Sequence, residues 1–553
     1  MLKVLKKVKE LFSVLIFRSI RKMSDKSGGG IMSGGKKKVL WVDDEIEFLR
    51  SHIMFLETRG YCVTPVFSGD DAIHLIEQNP REFDIVLLDE RMPGKDGITT
   101  FEEIKQINPD LPVVMVTKNE EEHVMESALG KKIDAYLTKP VNPSQILLVC
   151  KRLLESRRIL SNQISQKFIR NYSENRTSLG GYLSYKDWIK IYDNLVYWDL
   201  ELDKTDDEGL RQTHAGQKSD SNAVFSDYLV ENYVSWLKGE REPPVLGHDA
   251  LQKIVLENQD QFKTTFLFVL SGMRYDQYII MERILRQFSN VQKNNFFSII
   301  PTASVFSRIS FLSGFLPAEI SKKDKNIWKT GIEDEKQTSP FEKKLLSGLL
   351  TANGIKINNN EPWFLYLSDS VDSNQIIQQI NKCKKSRVNV CVVDFFDFLS
   401  HNQPQRGVLK ELIRDESGIR TLTKSWFERS AVLKIMKDLV SKDCRLIITS
   451  DHGNVLCSRS TELYRVQNWS KNLRYKFGSD ISCDERRALF IRNPVHFGLP
   501  DIIQDKSCFI AKENYYFVPP EKNEQYKTQF RNSFQHGGIS MEEIIMPMGI
   551  FTR

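Results

Sequence analysis

The chain has 553 residues, which is too long for one hydrophobic core and indicates about three or four domains. Hydrophobic residues make up 41% and charged residues 27% of it, as in an ordinary globular protein. The net charge of +6 is small for this length and does not by itself indicate nucleic-acid binding. Eight cysteines without a CxxC pair argue against a disulfide framework and favour a reducing, cytoplasmic compartment.

Residues 1–36 form a basic leader that ends in a flexible Gly/Ser tether, Ser27–Gly35. The first part, Met1–Lys22, has the pattern of a basic amphipathic helix but too few continuous apolar residues to span a bilayer. Two interpretations stay open. One is a helix that lies on a membrane surface. The other, which the composition favours, is a disordered extension upstream of the true start.

Between residues 37 and 157, short apolar runs alternate with stretches of helical period. This alternation predicts βαβ units and a doubly wound, flavodoxin-like parallel sheet. Functional residues in such a sheet cluster at the carboxyl ends of the strands. Polar residues follow four of the predicted strands there, and they are Asp43 and Asp44, Asp89, Thr117 and Lys139.

These side chains have complementary chemistry for phosphoryl transfer. Asp43, Asp44 and Asp89 offer the oxygen ligands that Mg²⁺ prefers. Asp89 would attack as the nucleophile to form an acyl phosphate. Lys139 and the Thr117 hydroxyl would bind the remaining phosphoryl oxygens.

Each of these residues alone would more often be a solvated surface group. Their order on successive strand ends, together with Met92-Pro93-Gly94 and Lys139-Pro140, closely resembles the receiver domain of two-component response regulators. That resemblance implies a sensor histidine kinase as partner and Asp89 as the phospho-acceptor.

Residues 158–257 contain long stretches of helical period and no strand-like run, which predicts a helical bundle. The polar stretch Lys204–Ser221 is predicted to be a loop between helices. After Asn142 the sequence shows neither a helix-turn-helix nor a clustered basic face. Specific DNA binding is therefore not expected, and a DNA-binding transcriptional regulator is only an outside alternative.

The βα alternation returns in residues 258–553, with buried strands predicted at Thr264–Leu270, Val388–Val393 and Leu446–Thr449. Residues with metal-ligand chemistry lie beside these strands. Asp397 and His401 are four apart, so one helical turn would place both on the same face. Asp451-His452 follows the last of the strands, and a mixture of carboxylate and imidazole suits Zn²⁺.

Ser304 is a candidate nucleophile in this domain. It lies at the start of a predicted helix, Val305–Leu312, where backbone N–H groups and the helix dipole favour an anion. The alternative is that Thr302 or Ser304 only caps that helix.

With these motifs the domain resembles the PglZ branch of the alkaline phosphatase superfamily. The motifs that carry the resemblance are Arg274–Gln277, Pro301–Ser304, Asp397–His401, Ser450–Gly453 and Gln535–Ser540. The resemblance implies a first zinc held by Asp397, His401 and His536. It also implies a second zinc at Asp451 and His452, with Ser304 as the nucleophile. The implied substrates are phosphate esters, including oligonucleotides.

Position 271 departs from this pattern. The strand before it should end in an aspartate that completes the second zinc site, but the chain has Ser271. A serine in place of the aspartate leaves the metal site with one negative charge fewer. Loss of a residue that only hydrogen-bonds to a metal ligand already costs roughly 10–100-fold in metal affinity or activity. The output domain is therefore expected to be either a weakened zinc phosphodiesterase or phosphatase, or an inactive domain that acts by protein–protein contact.

The whole arrangement, a receiver, a helical bundle and an alkaline-phosphatase-like α/β domain, resembles the PorX-like response regulators of the Bacteroidetes type IX secretion system. This resemblance implies a cytoplasmic α/β multidomain protein that regulates type IX secretion. The implied partners are a sigma factor or the cytoplasmic part of a secretion motor, and a second copy of the chain in a homodimer.

Overall fold

The computed structural model describes residues 37–553 apart from 81, 118–132, 206, 258–263, 325–326, 329–338, 356–362, 368–386, 403–412, 414, 443, 467–468, 470–471 and 501–505. Within its helices and strands, the side chains of residues 155–162, 173–178, 339–340, 363 and 401–402 are also not described. The predictions for the leader and for the His401 side chain therefore lie outside the described residues. Two compact units, residues 1–167 and 168–553, make up the chain.

The first unit is built on a five-stranded parallel sheet with the strand order β2-β1-β3-β4-β5. Its elements are β1 Lys37–Val42, α1 Arg50–Glu57, β2 Tyr61–Val66, α2 Gly69–Gln78, β3 Ile85–Asp89, α3 Gly97–Ile107, β4 Val113–Thr117 and β5 Ala135–Thr138, with a 3₁₀ turn at Ile46–Leu49. Successive strand residues point to opposite faces, so Leu40 and Val42 join one hydrophobic core and Val39 and Trp41 the other. Both faces are buried, which explains the continuous apolar runs.

Three long helices follow: α4 Pro143–Ser178, α5 Tyr185–Leu202 and α6 Glu208–Leu237. The prediction of a loop at Lys204–Ser221 is wrong, because most of that stretch belongs to α6. Asp207 is the N-cap of this helix, and its side chain accepts from the backbone N–H of Leu210 at 3.1 Å. Polar residues on the buried face of its first half, among them His214 and Lys218, have tertiary partners, so hydrophobic periodicity did not reveal that part of the helix.

The second unit is centred on a six-stranded sheet with the order β7-β18-β10-β6-β9-β8. Strands β10, β6, β9 and β8 are parallel, whereas β18 is antiparallel to both of its neighbours. The strands of this sheet are β6 Thr265–Leu270, β7 Asn290–Phe297, β8 Trp363–Leu367, β9 Val388–Val393, β10 Arg445–Thr449 and β18 Ile545–Thr552.

Helices cover this sheet, and the smaller strands form separate two- and three-stranded sheets. The helices are α7 Gly247–Ala250 with a π-helical continuation at Leu251–Leu256, α8 Tyr275–Leu285, α9 Ser304–Ser313, α10 Pro317–Lys323, α11 Ser339–Ala352, α12 Phe395–Asn402, α13 Glu416–Arg429, α14 Ala431–Ser441, α15 Asn523–Phe530 and α16 Met541–Ile544. The smaller strands are β11 Val455–Cys457, β12 Arg459–Glu462, β13 Tyr475–Gly478, β14 Ala488–Ile491, β15 Ser507–Ala511, β16 Tyr515–Val518 and β17 Ser533–Gln535. Among all the helices described, none is both long and apolar enough to cross a membrane.

The carboxyl ends of three parallel strands meet at one edge of the large sheet. Ser271 follows β6, Asp394 follows β9, and Ser450-Asp451-His452 follows β10. The fold class predicted from the sequence, a multidomain α/β protein with a doubly wound receiver, a helical linker and an α/β output domain, is confirmed.

Candidate functional site

In the receiver, the carboxyl edge of the sheet brings the predicted residues together. Lys139 places its Nζ 3.0 Å from Asp43 Oδ2 and 2.9 Å from Asp89 Oδ2. Carboxylate oxygens of Asp43, Asp44 and Asp89 lie within 4.8 Å of one another. Thr117 ends β4, the strand next to β3, and is buried. Three clustered carboxylates beside one ammonium suit a divalent cation with oxygen ligands.

Asp89 is 4% exposed. Burial raises the pKa of Asp89 above its ordinary value, and Lys139 offsets only part of this effect through its hydrogen bond and charge. The backbone behind Asp89 is also crowded, because a Cβ added at Gly97 would lie 2.2 Å from the Asp89 carbonyl oxygen. Glycine at position 97 thus lets α3 begin directly behind β3.

In the second unit, two serines lie at the carboxyl edge of the large sheet beside an aspartate and a histidine. Ser304 Oγ is 2.9 Å from His452 Nε2, and Ser271 Oγ is 3.3 Å from Ser304 Oγ. Ser271 Oγ also donates to Asp451 Oδ2 at 3.2 Å. The N-cap of α9 is Ala303, which makes no side-chain cap bond. Ser304 therefore turns its hydroxyl toward this cluster instead of capping the helix.

Three residues of this edge fit a zinc ion. Asp397, His452 and His536 each offer one ligand atom, and these atoms lie within 4.8 Å of one another. Nδ1 of His536 is 3.2 Å from the Thr302 carbonyl oxygen, and Nδ1 of His452 is 2.9 Å from that of Gly453. Because a carbonyl oxygen only accepts, each Nδ1 must donate, which leaves each neutral Nε2 unprotonated and able to bind a metal.

This grouping differs from the expected ligand sets. The resemblance assigned His452 to a second site with Asp451, whereas the structure clusters His452 with Asp397 and His536. The rings of His452 and His536 stack with centroids 4.5 Å apart. His401 lies one turn after Asp397 on α12.

The expected second metal site holds a different cation. Arg308 Nη1 donates to Ser271 Oγ at 2.9 Å and to Asp451 Oδ2 at 3.3 Å. A guanidinium thus neutralises the Asp451 carboxylate, and Ser271 brings no charge of its own. These residues do not fit a second divalent cation.

Sequence reasoning missed the residues that hold Arg308. Its Nε donates to Glu342 Oε1 at 2.9 Å, and the Tyr366 hydroxyl donates to Glu342 Oε2 at 2.6 Å. Asp394 Oδ1 lies 3.8 Å from Arg308 Nη1, and burial raises the pKa of Asp394 to about 6. A signal for Arg308 was available, because it is an arginine one helical turn after Ser304 within an otherwise apolar and hydroxyl-bearing helix.

Three family models match the chain. A response regulator receiver domain matches residues 39–151, a PorX response regulator linker domain matches residues 158–237, and a BREX system PglZ alkaline phosphatase-like domain matches residues 252–550. The last of these spans more than half of the chain.

Individual relatives match the receiver. Transcriptional regulatory protein ResD of Bacillus subtilis is 36% identical over 118 residues, which are 21% of this chain and 48% of that protein. Transcriptional regulatory protein BaeR of Escherichia coli is 34% identical over 119 residues, again 21% of this chain and 48% of the relative. The chain thus spans about half the length of these relatives.

Solved structures match the same region. A CheY-like receiver domain protein from Methanospirillum hungatei is 31% identical, with a TM-score of 0.20, over 22% of this chain and 96% of the other. The receiver domain of NtrX from Brucella abortus is 31% identical, with a TM-score of 0.20, over 21% and 98% of the respective chains.

Proposed function

Because the chain belongs to the PglZ alkaline phosphatase-like family and joins that domain to a receiver and a PorX-type linker, as in a PorX-like response regulator, we propose that phosphorylation of Asp89 controls a zinc-binding output domain. The observation that carries the proposal is the Lys139 ammonium, which bridges Asp43 and Asp89 at 3.0 and 2.9 Å.

The receiver geometry supports phosphorylation by an in-line attack. Asp89 Oδ would attack the phosphorus of a phosphohistidine on a sensor histidine kinase, and the histidine nitrogen would leave with the electron pair of the broken P–N bond. Mg²⁺ at Asp43, Asp44 and Asp89 would neutralise phosphoryl oxygens. Lys139, released from its carboxylate partners, would pair with another oxygen of the phosphoryl group.

In the output domain, Asp397, His452 and His536 would hold one zinc, with His401 as a further ligand by family resemblance. A zinc there would act as a Lewis acid toward a phosphate ester. Ser304 Oγ lies 2.9 Å from His452 Nε2, so this candidate nucleophile would stand beside a zinc bound at that nitrogen. We propose a zinc phosphodiesterase or phosphatase that Ser271 weakens, with oligonucleotides or other phosphodiesters as substrates.

A second function is favoured by one specific contact. The Arg308 guanidinium donates hydrogen bonds to Ser271 and Asp451, at the position where a two-metal enzyme would need a divalent cation. An output domain without catalysis that acts by protein–protein contact fits this observation. The PorX-like arrangement supports regulation of type IX secretion, with a sigma factor or the cytoplasmic part of the secretion motor as the contact.

The receiver half is tested with a small phosphodonor such as acetyl phosphate in the presence of Mg²⁺. Intact-mass spectrometry of the native chain should show one added phosphoryl group, and Asp89→Asn should show none. An exposed acid elsewhere in the receiver gives the control, since Glu57→Gln should label like the native chain. Labelling of Asp89→Asn would contradict the assignment of the acceptor.

The output half is tested by metal content and turnover of the native chain and Ser304→Ala. We expect one zinc in both, together with slow hydrolysis of a chromogenic phosphodiester that Ser304→Ala abolishes. Zinc without any hydrolysis in the native chain would favour the contact function. A chain that takes up no zinc at all would contradict the proposed metal centre.

A further inference from the structure

Residues 535–544 form a segment that contains His536, one of the two described histidines of the proposed zinc centre. The backbone next to His536 is bonded to the loop before Ser304. Thr302 Oγ1 donates to the Gly538 carbonyl oxygen at 2.9 Å and accepts from the Gly537 N–H at 3.1 Å. Displacement of this segment would therefore move His536 and the Ser304 loop together.

The same segment also supports the second histidine. Its short helix α16 packs against Gly453, the residue directly after His452. The Gly453 N–H donates to the Glu543 carbonyl oxygen at 3.3 Å, and a Cβ added at Gly453 would lie 1.9 Å from the Glu542 carbonyl oxygen. Both imidazoles of the centre thus depend on the position of one segment.

Helix α6 of the linker holds that segment from outside the α/β domain. Asn222 forms two bonds to it: its Oδ1 accepts from the Met541 N–H at 2.8 Å, and its Nδ2 donates to Glu542 Oε2 at 2.9 Å. One turn later, Ser226 Oγ donates to the Ile539 carbonyl oxygen at 3.1 Å.

These contacts are shielded from water. Asn222 is 6% exposed and Ser226 0%, so solvent does not readily replace a lost partner. Lys218, one turn before Asn222, has its Nζ 3.9 Å from Glu542 Oε1. This ammonium compensates the buried Glu542 carboxylate to which Asn222 donates.

We propose that Asn222 and Ser226 of the linker are positioning residues that set the geometry and the zinc affinity of the His452–His536 pair. The linker thereby acts on the output site through α6 and residues 535–544 and is more than a spacer. The inference takes the identity of the metal, zinc, from the proposed function. Outer partners of metal ligands commonly change affinity by roughly 10–100-fold, which makes the effect measurable.

The test uses the full chain and zinc itself. The zinc dissociation constant is measured by competition with a chromophoric chelator, and the visible spectrum of the cobalt(II)-substituted protein reports the ligand geometry. Asn222→Ala should raise the zinc dissociation constant by roughly 10-fold and change the cobalt spectrum. Ser226→Ala should act in the same direction but more weakly, because the Ile539 carbonyl oxygen still accepts from the Glu513 N–H at 2.7 Å.

Asp227→Ala is the matched control. Asp227 neighbours Ser226 on α6 and also bonds to the α/β domain, but through an exposed pair with Lys512 at 2.9 Å. This variant should keep the native zinc affinity and cobalt spectrum. Urea unfolding of the metal-free variants identifies any general loss of fold, and Ser226→Ala carries the test if Asn222→Ala does not fold.

The outcomes separate this inference from the proposed function. If the native chain binds zinc and both Asn222→Ala and Ser226→Ala bind it equally well, the positioning role is wrong while the zinc centre stands. The role is also wrong if Asp227→Ala weakens zinc binding as much as Asn222→Ala does. If the native chain binds no zinc, the proposed centre fails and this inference fails with it.

Discussion

Asp43, Asp44 and Asp89 place three carboxylates near the Lys139 ammonium, and burial disfavours the ionised form of Asp89. Since the pKa of Asp89 is raised in the folded state, that state binds a proton more readily than the unfolded chain does. The ionised carboxylate therefore lowers the stability of the receiver at neutral pH. This penalty disappears as the pH falls through the raised pKa.

Asp89→Asn should accordingly raise the free energy of unfolding of the receiver at pH 7.5, without metal, by about 1 kcal/mol. The gain should shrink as the pH is lowered through the raised pKa of Asp89, because native Asp89 then becomes protonated. Urea unfolding at pH 7.5 and over a series of lower pH values measures the difference. The exposed carboxylate of Glu57 supplies the control, as Glu57→Gln should change stability little at any of these pH values. A variant less stable than the native chain at pH 7.5 would show that the Lys139–Asp89 pair outweighs the burial penalty.

Ser271 and Arg308 give the second prediction at the level of single residues. Ser271→Asp returns a carboxylate beside Asp451 and should raise the zinc content from one toward two ions per chain, with faster phosphodiester hydrolysis. Asparagine has nearly the size of aspartate but no charge, so Ser271→Asn should leave the zinc content and the rate of hydrolysis at native values. Metal analysis and chromogenic turnover measure them. If Ser271→Asp stays at one zinc, the Arg308 guanidinium keeps its place between the carboxylates and the missing ligand alone does not explain the site.

At the scale of elements, the approach of α16 to the loop after β10 requires a glycine. Gly453→Ala would place its Cβ 1.9 Å from the Glu542 carbonyl oxygen, so it should destabilise the second unit by on the order of 1–3 kcal/mol. Gly216→Ala, on the exposed side of α6 with no atom within 4 Å of the added Cβ, should stabilise it by roughly 0.5–1 kcal/mol. Urea unfolding of both variants checks the opposite signs. Equal effects of the two substitutions on the free energy of unfolding would mean that α16 shifts readily to make room for the Cβ of Gly453→Ala.

The elements differ in how far the sequence predicts them. Strands β3 and β6 are buried along their whole length, so their apolar runs mark both the strand and the polar residue at its end. The first half of α6, residues 208–221, escaped prediction because its buried face carries Lys218, whose ammonium bonds to Glu416, 198 residues further along the chain. Hydrophobic periodicity does not register a face stabilised by such distant polar contacts.

The functional sites also contain some residues that a local motif marks and some contacts that no local motif marks. The sequence singles out Asp89, His452 and His536 because they lie in short local motifs at strand ends. The contact of Arg308 with Ser271 and Asp451 joins α9 to β6 and β10, and no local pattern records which cation neutralises a given carboxylate. The grouping of His452 with Asp397 likewise depends on how three strand ends converge.

For the whole molecule, the proposed control of the output domain by Asp89 is a coupling free energy between two binding equilibria. Such coupling is reciprocal: if an acyl-phosphate state of the receiver changes the zinc affinity, zinc must change the affinity of the receiver for its phosphoryl analogue by the same factor. The linker contacts of Asn222 and Ser226 give this coupling a physical route at the output end.

Beryllofluoride with Mg²⁺ is a stable mimic of the phosphoryl group on aspartate and allows both directions to be measured at equilibrium. We expect it to change the zinc dissociation constant of the full chain by at least about fivefold, which corresponds to roughly 1 kcal/mol of coupling. Zinc should change the beryllofluoride affinity by the same factor. Asp89→Asn should remove the effect in both directions, and Asn222→Ala should reduce it while leaving beryllofluoride binding itself intact. An identical zinc affinity with and without beryllofluoride would mean that phosphorylation acts on something other than the metal centre, as it would if the output of this chain were a contact with a partner.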